Sequence, residues 1–285
     1  MPLLTRPGAP ALHYEITDFT DPWSDSPYLF LQHGYGRSGA FWYQWVPALS
    51  RHFKVVCPDL RGCGRSLADF DLASGYTLES LSDDVIAIAD ALDIDSFHYC
   101  GESIGGLIGL AVAARHPARI RSLVNISGPV FISEGAKRGN ALGCASWAAA
   151  IRELGPRTWV ERTNGMRFPP DTPEGFLHWY TDTVERTGAA VLAAIAQFAL
   201  DADARPYLPR IEAPLLCLYP KQGVVANDEQ QRTLLDLVPN IELRQVSTTY
   251  HMVQNIVPDE CLTLVRSHIA KAEVRGSGLG ANFDN

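Results

Sequence analysis

Short apolar runs alternate with longer segments of helical spacing over most of this 285-residue chain. Mostly apolar runs of four to seven residues predict strands that are buried on both faces, as in a parallel sheet. The predicted strands cover residues 12–16, 28–32, 53–57, 97–100, 120–126, 215–219 and 241–246. The predicted helices cover residues 78–92, with Thr77 as N-cap, and 104–115, 229–237 and 261–271. This alternation predicts an α/β fold with a doubly wound, mostly parallel sheet, whose ligands bind at the carboxyl ends of the strands.

The alternation stops between residues 130 and 208, where helical patterns continue but no strand is predicted. We interpret this segment as a helical insertion between two strands of a core made of residues 1–129 and 209–275. The last ten residues, 276–285, are polar and rich in glycine, and we expect them to be disordered. Aromatic residues are frequent in the insertion, among them Trp147, Trp159, Phe168, Phe176, Trp179, Tyr180 and Phe198.

The composition is that of a packed globular protein, with 46% hydrophobic and 20% charged residues. A formal net charge of -8 disfavours binding to a phosphate backbone, so we expect no nucleic-acid partner. No apolar run is long enough to cross a bilayer, and the first ten residues do not resemble a secretion signal, so we expect no membrane partner and a cytoplasmic location. Six cysteines occur singly and without a C-x-x-C pair, so we expect reduced core thiols rather than a zinc or thioredoxin-type site. The chemistry predicted below needs no metal or organic cofactor, and we expect none. A homo-oligomer remains open.

The clearest chemical signal is a serine between a predicted strand and a predicted helix. Residues 101–106 read Gly-Glu-Ser-Ile-Gly-Gly. A sharp turn at this position would lift the hydroxyl of Ser103 above the sheet, and the flanking glycines leave room for the strained backbone. A serine hydroxyl needs a neighbouring base to become a nucleophile. We therefore predict a catalytic Ser103.

His251 is the candidate base, because it follows the last predicted strand and so lies at the same edge of the sheet as Ser103. The other histidines fall within predicted strands, beside helix ends or in the insertion. For the oxyanion, the backbone N–H groups of Ile104 and Tyr35 are the expected donors. Tyr35 belongs to a glycine-containing turn after the strand at 28–32, in which we expect His33 to have a structural role.

These motifs together resemble the α/β-hydrolase superfamily over nearly the whole chain. The turn His-Gly-Tyr-Gly at 33–36, the segment Pro-Asp-Leu-Arg-Gly-Cys-Gly-Arg-Ser at 58–66, the turn at Ser103 and the late His251 occur in the family's order. The resemblance is closest to the esterase, lactonase and carbon–carbon bond hydrolase branches, and it implies a helical cap over the site, which fits residues 130–208. Epoxide hydrolases and haloalkane dehalogenases of this family carry an aspartate where this chain has Ser103. The implied substrate is a small carbonyl compound, and the aromatic residues favour an apolar or ring-bearing one.

The acid that orients the histidine is the point where the chain departs from the family pattern. Gly223 falls in the slot after residues 214–219 that usually holds an aspartate, and Asp228 is the nearest acid. Asp228 is more typical of a helix N-cap. Some relatives carry the acid after the strand that follows the nucleophile helix. In this chain that position falls near Ser127, which is not an acid, and the next carboxylate in the chain is that of Glu134. Glu102 is expected to be a structural ion-pair partner.

Two alternatives stay open at this stage. The missing acid is compatible with a non-hydrolytic member of the same fold, such as a lyase, a cofactor-free oxygenase or a ligand receptor. More remotely, residues 34–39 match the G-x-G-x-x-G pattern and Asp59 ends the next strand, which is the outline of a dinucleotide-dependent oxidoreductase.

Overall fold

A computed structural model describes residues 3–223, 225 and 227–276. The strands are β1 (Leu3–Arg6), β2 (Ala9–Thr17), β3 (Tyr28–Gln32), β4 (Lys54–Pro58), β5 (Phe97–Glu102), β6 (Ile120–Ile126), β7 (Leu215–Pro220) and β8 (Ile241–Val246). They form one sheet in the order β1-β2-β4-β3-β5-β6-β7-β8. β2 pairs antiparallel with β1 and β4, and every later pair is parallel. The prediction of a mostly parallel sheet is confirmed.

Helices lie on both faces of this sheet, which makes it doubly wound. On β3, Leu29 and Leu31 pack in one apolar cluster with Leu49 and Val265. Phe30, which points the other way, packs in a second cluster with Leu81 and Leu107. Burial on both faces explains why the strands read as continuous apolar runs. The helices are α1 (Val46–Leu49), α2 (Leu78–Ala91), α3 (Ile104–Arg115), α4 (Glu134–Ala141), α5 (Trp147–Leu154), α6 (Pro156–Thr163), α7 (Glu174–Thr187), α8 (Ala189–Asp201), α9 (Asp228–Leu237), α10 (Val253–Ile256) and α11 (Pro258–Gly276).

The segment between β6 and β7 carries helices α4 to α8, as the loss of alternation predicts. Its two ends meet, because the Ala204 N–H donates to the carbonyl of Val130 at 2.8 Å and Phe131 forms a single antiparallel bridge with Asp203. The insertion therefore leaves and re-enters the core at one place. The division of the chain into a core and a cap at residues 130 and 208 stays a prediction.

The local signals at helix α2 agree with the sequence. Thr77 is its N-cap, since its hydroxyl accepts the Ser80 N–H at 3.0 Å while the Ser80 hydroxyl accepts the Thr77 N–H at 3.1 Å. This reciprocal arrangement satisfies two amide groups that a helix start leaves without partners. Helix α3 also has the predicted bounds, and all but its last residue are buried.

Other boundaries differ from the predictions. Strand β1 was not predicted, because its half-buried residues alternate with exposed ones and leave no apolar run. Helix α11 begins three residues earlier than predicted, at Pro258, and ends at Gly276. The predicted disordered tail spans residues 276–285; its first residue, Gly276, is the last residue of α11, and residues 277–285 lie outside the described residues.

Candidate active site

Ser103 lies in the sharp turn between β5 and α3. Its φ of 55° and ψ of -118° are strained values for a residue with a side chain. The turn needs the two flanking glycines, since a Cβ at Gly101 would run into the carbonyl of Gly105, and a Cβ at Gly105 would meet the carbonyl of Gln32. The backbone N–H of Ser103 donates to the carbonyl of Ile126 at 2.8 Å, which ties the turn to β6. The predicted strand–turn–helix context is confirmed.

His251 and Ser103 lie together, 148 residues apart in the chain. The distance between Nε2 of His251 and Oγ of Ser103 is 3.0 Å, within hydrogen-bond range. The loop that follows β8 holds His251 in place, and the backbone N–H of His251 donates to the carbonyl of Met166 in the insertion at 3.4 Å. The geometry is therefore that of a nucleophile and its base.

The surroundings of His251 favour its neutral form. Burial is the main cause that lowers the pKa of His251 to about 3, and the positive charges of Arg37 and Arg167 add to it. Oε1 of Glu102 lies 3.7 Å from Nε2, and no other acid of the described residues comes within 4 Å of the His251 ring nitrogens. A neutral imidazole is the state that can accept a proton from a serine hydroxyl.

Glu102 forms a buried ion pair with Arg37, as its position beside the nucleophile led us to expect. The two residues are 1% and 2% exposed. Burial raises the pKa of the Glu102 carboxyl, and the guanidinium of Arg37 opposes that rise. Nη1 of Arg37 also donates to Sδ of Met252 at 3.1 Å, so Arg37 joins the loop after β3 to the loop that carries His251.

The two backbone amides expected to hold an oxyanion line the same cavity as Ser103. Ile104 is the first residue of α3, and a helix leaves the N–H of its first residue without an internal acceptor. Among the described residues, neither the N–H of Ile104 nor that of Tyr35 donates to another protein group. Unpaired amides of residues that line the cavity of Ser103 are suited to stabilise negative charge there.

The cavity that contains Ser103 and His251 is small and partly covered by the insertion. Its volume is about 70 Å³. The core and the insertion both contribute to it. The lining residues are Tyr35, Arg37, Ser103, Ile104, Ser127, Ile132, Ala136, Asn140, Trp147, Met166, Arg167, Pro220, Gly223, Val225, Thr249 and His251.

No acid of the described residues accepts a hydrogen bond from Nδ1 of His251. Gly223 and Ser127, which occupy the two family positions for the acid, both line the cavity, and neither carries a carboxylate. Asp228 is exposed in the first turn of α9, whose N-cap is Asn227 rather than Asp228, and it forms no ion pair with His251. Glu134 is also exposed and pairs with Lys137. The structure thus brings the base and the nucleophile together but not Asp228.

The glycine-rich turn of the oxidoreductase alternative has an internal explanation. Asp59 accepts hydrogen bonds from the backbone of Gly39 at 2.7 Å and of Arg65 at 2.9 Å, and its carboxylate lies 2.9 Å from Nδ1 of His13. A Cβ at Gly39 would meet the carbonyl of Cys57 at 2.9 Å. Asp59 therefore stabilises the turn, and its carboxylate oxygens already bind groups of the protein. In a dinucleotide site, the corresponding carboxylate binds a ribose hydroxyl of the cofactor.

His33 has the structural role expected from its position. Nε2 of its ring accepts the Leu60 N–H at 2.9 Å, and Nδ1 lies 2.8 Å from the carbonyl of Gly34. Burial lowers the pKa of His33 to about 4, so the ring is neutral and joins two turns.

The sequence reasoning missed two arginines of the site, Arg37 and Arg167. Arg37 lies inside the glycine-rich turn, and a charged side chain among its three glycines was an available signal. Arg167 lies in a short segment between two insertion helices, and nothing in the local pattern places it beside His251.

The comparisons with known proteins agree with the fold. Residues 27–165 match the family model described as the alpha/beta hydrolase fold. A protein of Agrobacterium fabrum (strain C58) named "Putative carbamate hydrolase RutD" is 31% identical over 262 residues, which cover 87% of this chain and 94% of that protein. The chain belongs to the α/β-hydrolase superfamily.

Further relatives place this α/β-hydrolase among enzymes. The protein of the same name from Yersinia enterocolitica is 30% identical, over 84% of this chain and 85% of that protein. Among solved structures, the enol-lactonase from Burkholderia xenovorans LB400 superposes with a TM-score of 0.83 at 26% identity, over 94% of this chain and 100% of that one. The protein is thus a hydrolytic enzyme of this fold. Within the described residues, none of the helices combines the length and apolar character needed to cross a membrane.

Proposed function

We propose that this α/β-hydrolase cleaves an ester, a lactone or a related carbonyl compound through an acyl-enzyme on Ser103. The single observation that carries the proposal is the 3.0 Å separation between Oγ of Ser103 and Nε2 of His251 inside the cavity. The names of the relatives point to carbonyl substrates as well, because a carbamate and an enol lactone both contain an acyl carbon open to attack.

The steps follow from the positions of the groups. His251 takes the proton of the Ser103 hydroxyl as its oxygen bonds to the carbonyl carbon. The backbone N–H groups of Tyr35 and Ile104 stabilise the negative oxygen that results. His251 then gives the proton to the leaving group, and the acyl-enzyme remains. Water, deprotonated by His251, attacks the acyl carbon and releases Ser103 with its proton restored.

Fluorophosphonate labelling tests whether Ser103 is an activated nucleophile. We expect the wild-type protein to be labelled at Ser103, and the variants Ser103→Ala and His251→Ala to resist labelling. Ser127→Ala is the matched control, because this serine lines the same cavity and its buried hydroxyl has no partner among the described residues. That control should be labelled like the wild type. A well-folded wild-type protein that takes up no label would refute nucleophilic catalysis and favour a non-hydrolytic role.

Turnover tests the rest of the mechanism. A screen of short esters, lactones, carbamates and ring-cleavage diketones should find a substrate for the wild-type enzyme. On that substrate, Ser103→Ala and His251→Ala should each lower kcat by roughly 10⁴-fold or more, as is typical of such residues. A loss of about tenfold or less would contradict the roles assigned to them. The cytoplasmic location, the apolar character of the substrate and the oligomeric state stay predictions.

A further inference from the structure

Arg167 is a buried cation that forms no direct ion pair among the described residues, although its charge helps to lower the pKa of the Glu102 carboxyl, which Arg37 already binds. It is 8% exposed, in a short segment that links two helices of the insertion. The other two buried arginines, Arg37 and Arg61, each pair with a buried carboxylate, that of Glu102 and that of Asp84. A cation taken out of water normally needs such a counter-charge, because its desolvation is costly.

The contacts of Arg167 hold its guanidinium but leave most of its donors free. Nη1 donates to Oγ1 of Thr163 at 2.5 Å, and Cζ lies 4.7 Å from the centre of the Trp159 ring. Nε and Nη2 donate to no group of the described residues. Because a guanidinium has five N–H donors, most of its hydrogen-bonding capacity is available to a ligand.

The same segment is fixed against the loop of the proposed base. The carbonyl of Arg167 accepts the Met252 N–H at 3.2 Å, and the carbonyl of Met166 accepts the His251 N–H at 3.4 Å. Arg167 also lines the cavity that contains Ser103 and His251. Arg167 therefore lines the space in which a substrate of Ser103 would bind.

We propose that Arg167 binds a carboxylate of the substrate, so that this enzyme acts on carbonyl compounds that carry an anionic group. A guanidinium matches a carboxylate with two parallel N–H···O bonds, which gives orientation as well as affinity. The proposal names the substrate class of the site and rests on the proposed function for its catalytic part. The binding of the carboxylate itself does not require hydrolysis.

An anion at Arg167 would also help the proposed base. The positive charges of Arg37 and Arg167 oppose protonation of His251. A bound carboxylate would offset the charge of Arg167, and the imidazolium that forms during attack would become less unfavourable. The substrate would then supply part of the negative charge that a triad acid supplies in other members of the fold.

Binding to the Ser103→Ala protein tests the carboxylate site apart from catalysis. Hexanoate and hexanamide have the same chain and differ in charge, and their dissociation constants are measured by calorimetry. Hexanoate should bind roughly 10- to 100-fold more tightly, the range expected for a charge-assisted hydrogen bond. Equal affinities for the two compounds would overturn the proposal without the need for any variant of Arg167.

Variants of Arg167 assign that preference to one side chain. Arg167→Met in the Ser103→Ala background should lose the preference for hexanoate. Arg167→Lys, which keeps the charge but cannot form two parallel hydrogen bonds to a carboxylate, should retain part of it. Arg162→Met is the matched control, because Arg162 is an exposed cation of the preceding helix α6. A preference that survives Arg167→Met, or disappears in Arg162→Met, would refute the assignment.

The kinetic test compares two esters on the enzyme with Ser103 intact. Mono-para-nitrophenyl glutarate carries a carboxylate, and its methyl ester is the neutral equivalent. The ratio of their kcat/KM values should favour the anion by roughly tenfold or more, and Arg167→Met should bring the ratio close to one. If hexanoate binds through Arg167 but neither ester is cleaved, the proposed function fails and the carboxylate site stands. If both esters are cleaved equally, the carboxylate site fails and the proposed function stands.

Discussion

The ion pair of Arg37 and Glu102 offers a sharp test of the site's electrostatics. Arg37→Met keeps much of the side chain's apolar length but removes its charge, and leaves the 1% exposed carboxylate of Glu102 without its partner. Breaking a buried pair on one side typically costs about 3–5 kcal/mol of the free energy of unfolding. Because Arg37 lines the cavity, its replacement by the shorter methionine leaves space through which water can approach the carboxylate, and we expect the lower part of that range.

The cost should depend on pH, with a sign that follows from the carboxyl group. Burial already raises the pKa of Glu102, and the positive charge of Arg37 is the strongest influence that lowers it. Without Arg37, the folded protein would therefore hold Glu102 protonated to a higher pH than the unfolded chain does. Stability from such a group is present below the unfolded pKa and is lost as the pH rises through the folded pKa. Arg37→Met should consequently lose more stability at about pH 8 than at about pH 5.5.

The assay is urea unfolding followed by the emission of the buried tryptophans. It compares the wild type with Arg37→Met, Glu102→Gln and the double variant, at both pH values. The double variant should be more stable than the sum of the two single losses predicts, because it leaves no buried charge unpaired. Strictly additive losses, or a cost of Arg37→Met that does not grow with pH, would refute the description of a coupled buried pair.

Three further predictions concern the nucleophile turn, the base and the excluded acid. Gly105→Ala should lower both kcat and stability, because the added Cβ would run into the Gln32 carbonyl. Gly165→Ala is the control and should change neither, because no atom lies near its added Cβ. Initial rates and the midpoints of urea unfolding measure the two effects. On the neutral substrate para-nitrophenyl butyrate, kcat/KM should show no acid limb near the usual histidine pKa of about 6.5. Because the pKa of His251 is lowered, the ring stays neutral as the pH falls, and activity should be lost only as the pH approaches about 3. A rate that falls to half its maximum at a pH of about 6.5 would contradict this prediction. Asp228→Asn should change kcat/KM by less than about threefold, since Asp228 is exposed and not paired with His251, and a larger loss would make it the acid.

The fold follows from the sequence wherever burial dictates composition. The central strands are buried on both faces, so β5, β6 and β7 appear as apolar runs that a period of two would not reveal. Strand β1 is half-buried at the sheet edge, and its alternating pattern is too short to separate from a loop. The boundaries of α11 were missed because its ends are polar and amphipathic spacing is weakest there.

Residues of the site could be predicted from the sequence only where their position depends on a local motif or on the order of the strands. The turn at Ser103 has a local signature, since its strained backbone requires glycines at fixed spacing. His251 was found by its place after the last strand, because the carboxyl ends of parallel strands meet at one edge. Arg167 has neither signal. Its position depends on how the insertion packs against the loop of His251, a contact between segments 84 residues apart that no local pattern encodes.

The charges around His251 give the absence of a triad acid a physical consequence. In a complete triad, a carboxylate at Nδ1 stabilises the imidazolium that forms when the serine loses its proton. Here Gly223 and Ser127 occupy the two positions at which the family carries the acid, and the described residues place no carboxylate at Nδ1 of His251. The guanidinium groups of Arg37 and Arg167 oppose protonation of the imidazole. The carboxylate of Glu102 lies on the Nε2 side and is already engaged by Arg37. With a neutral substrate bound, His251 would therefore be a weak base. An anionic substrate would offset part of the positive charge around His251 when it binds, and so raise the pKa of the imidazole. The selectivity proposed for Arg167 and the strength of the base are, on this argument, two effects of the same electrostatic arrangement.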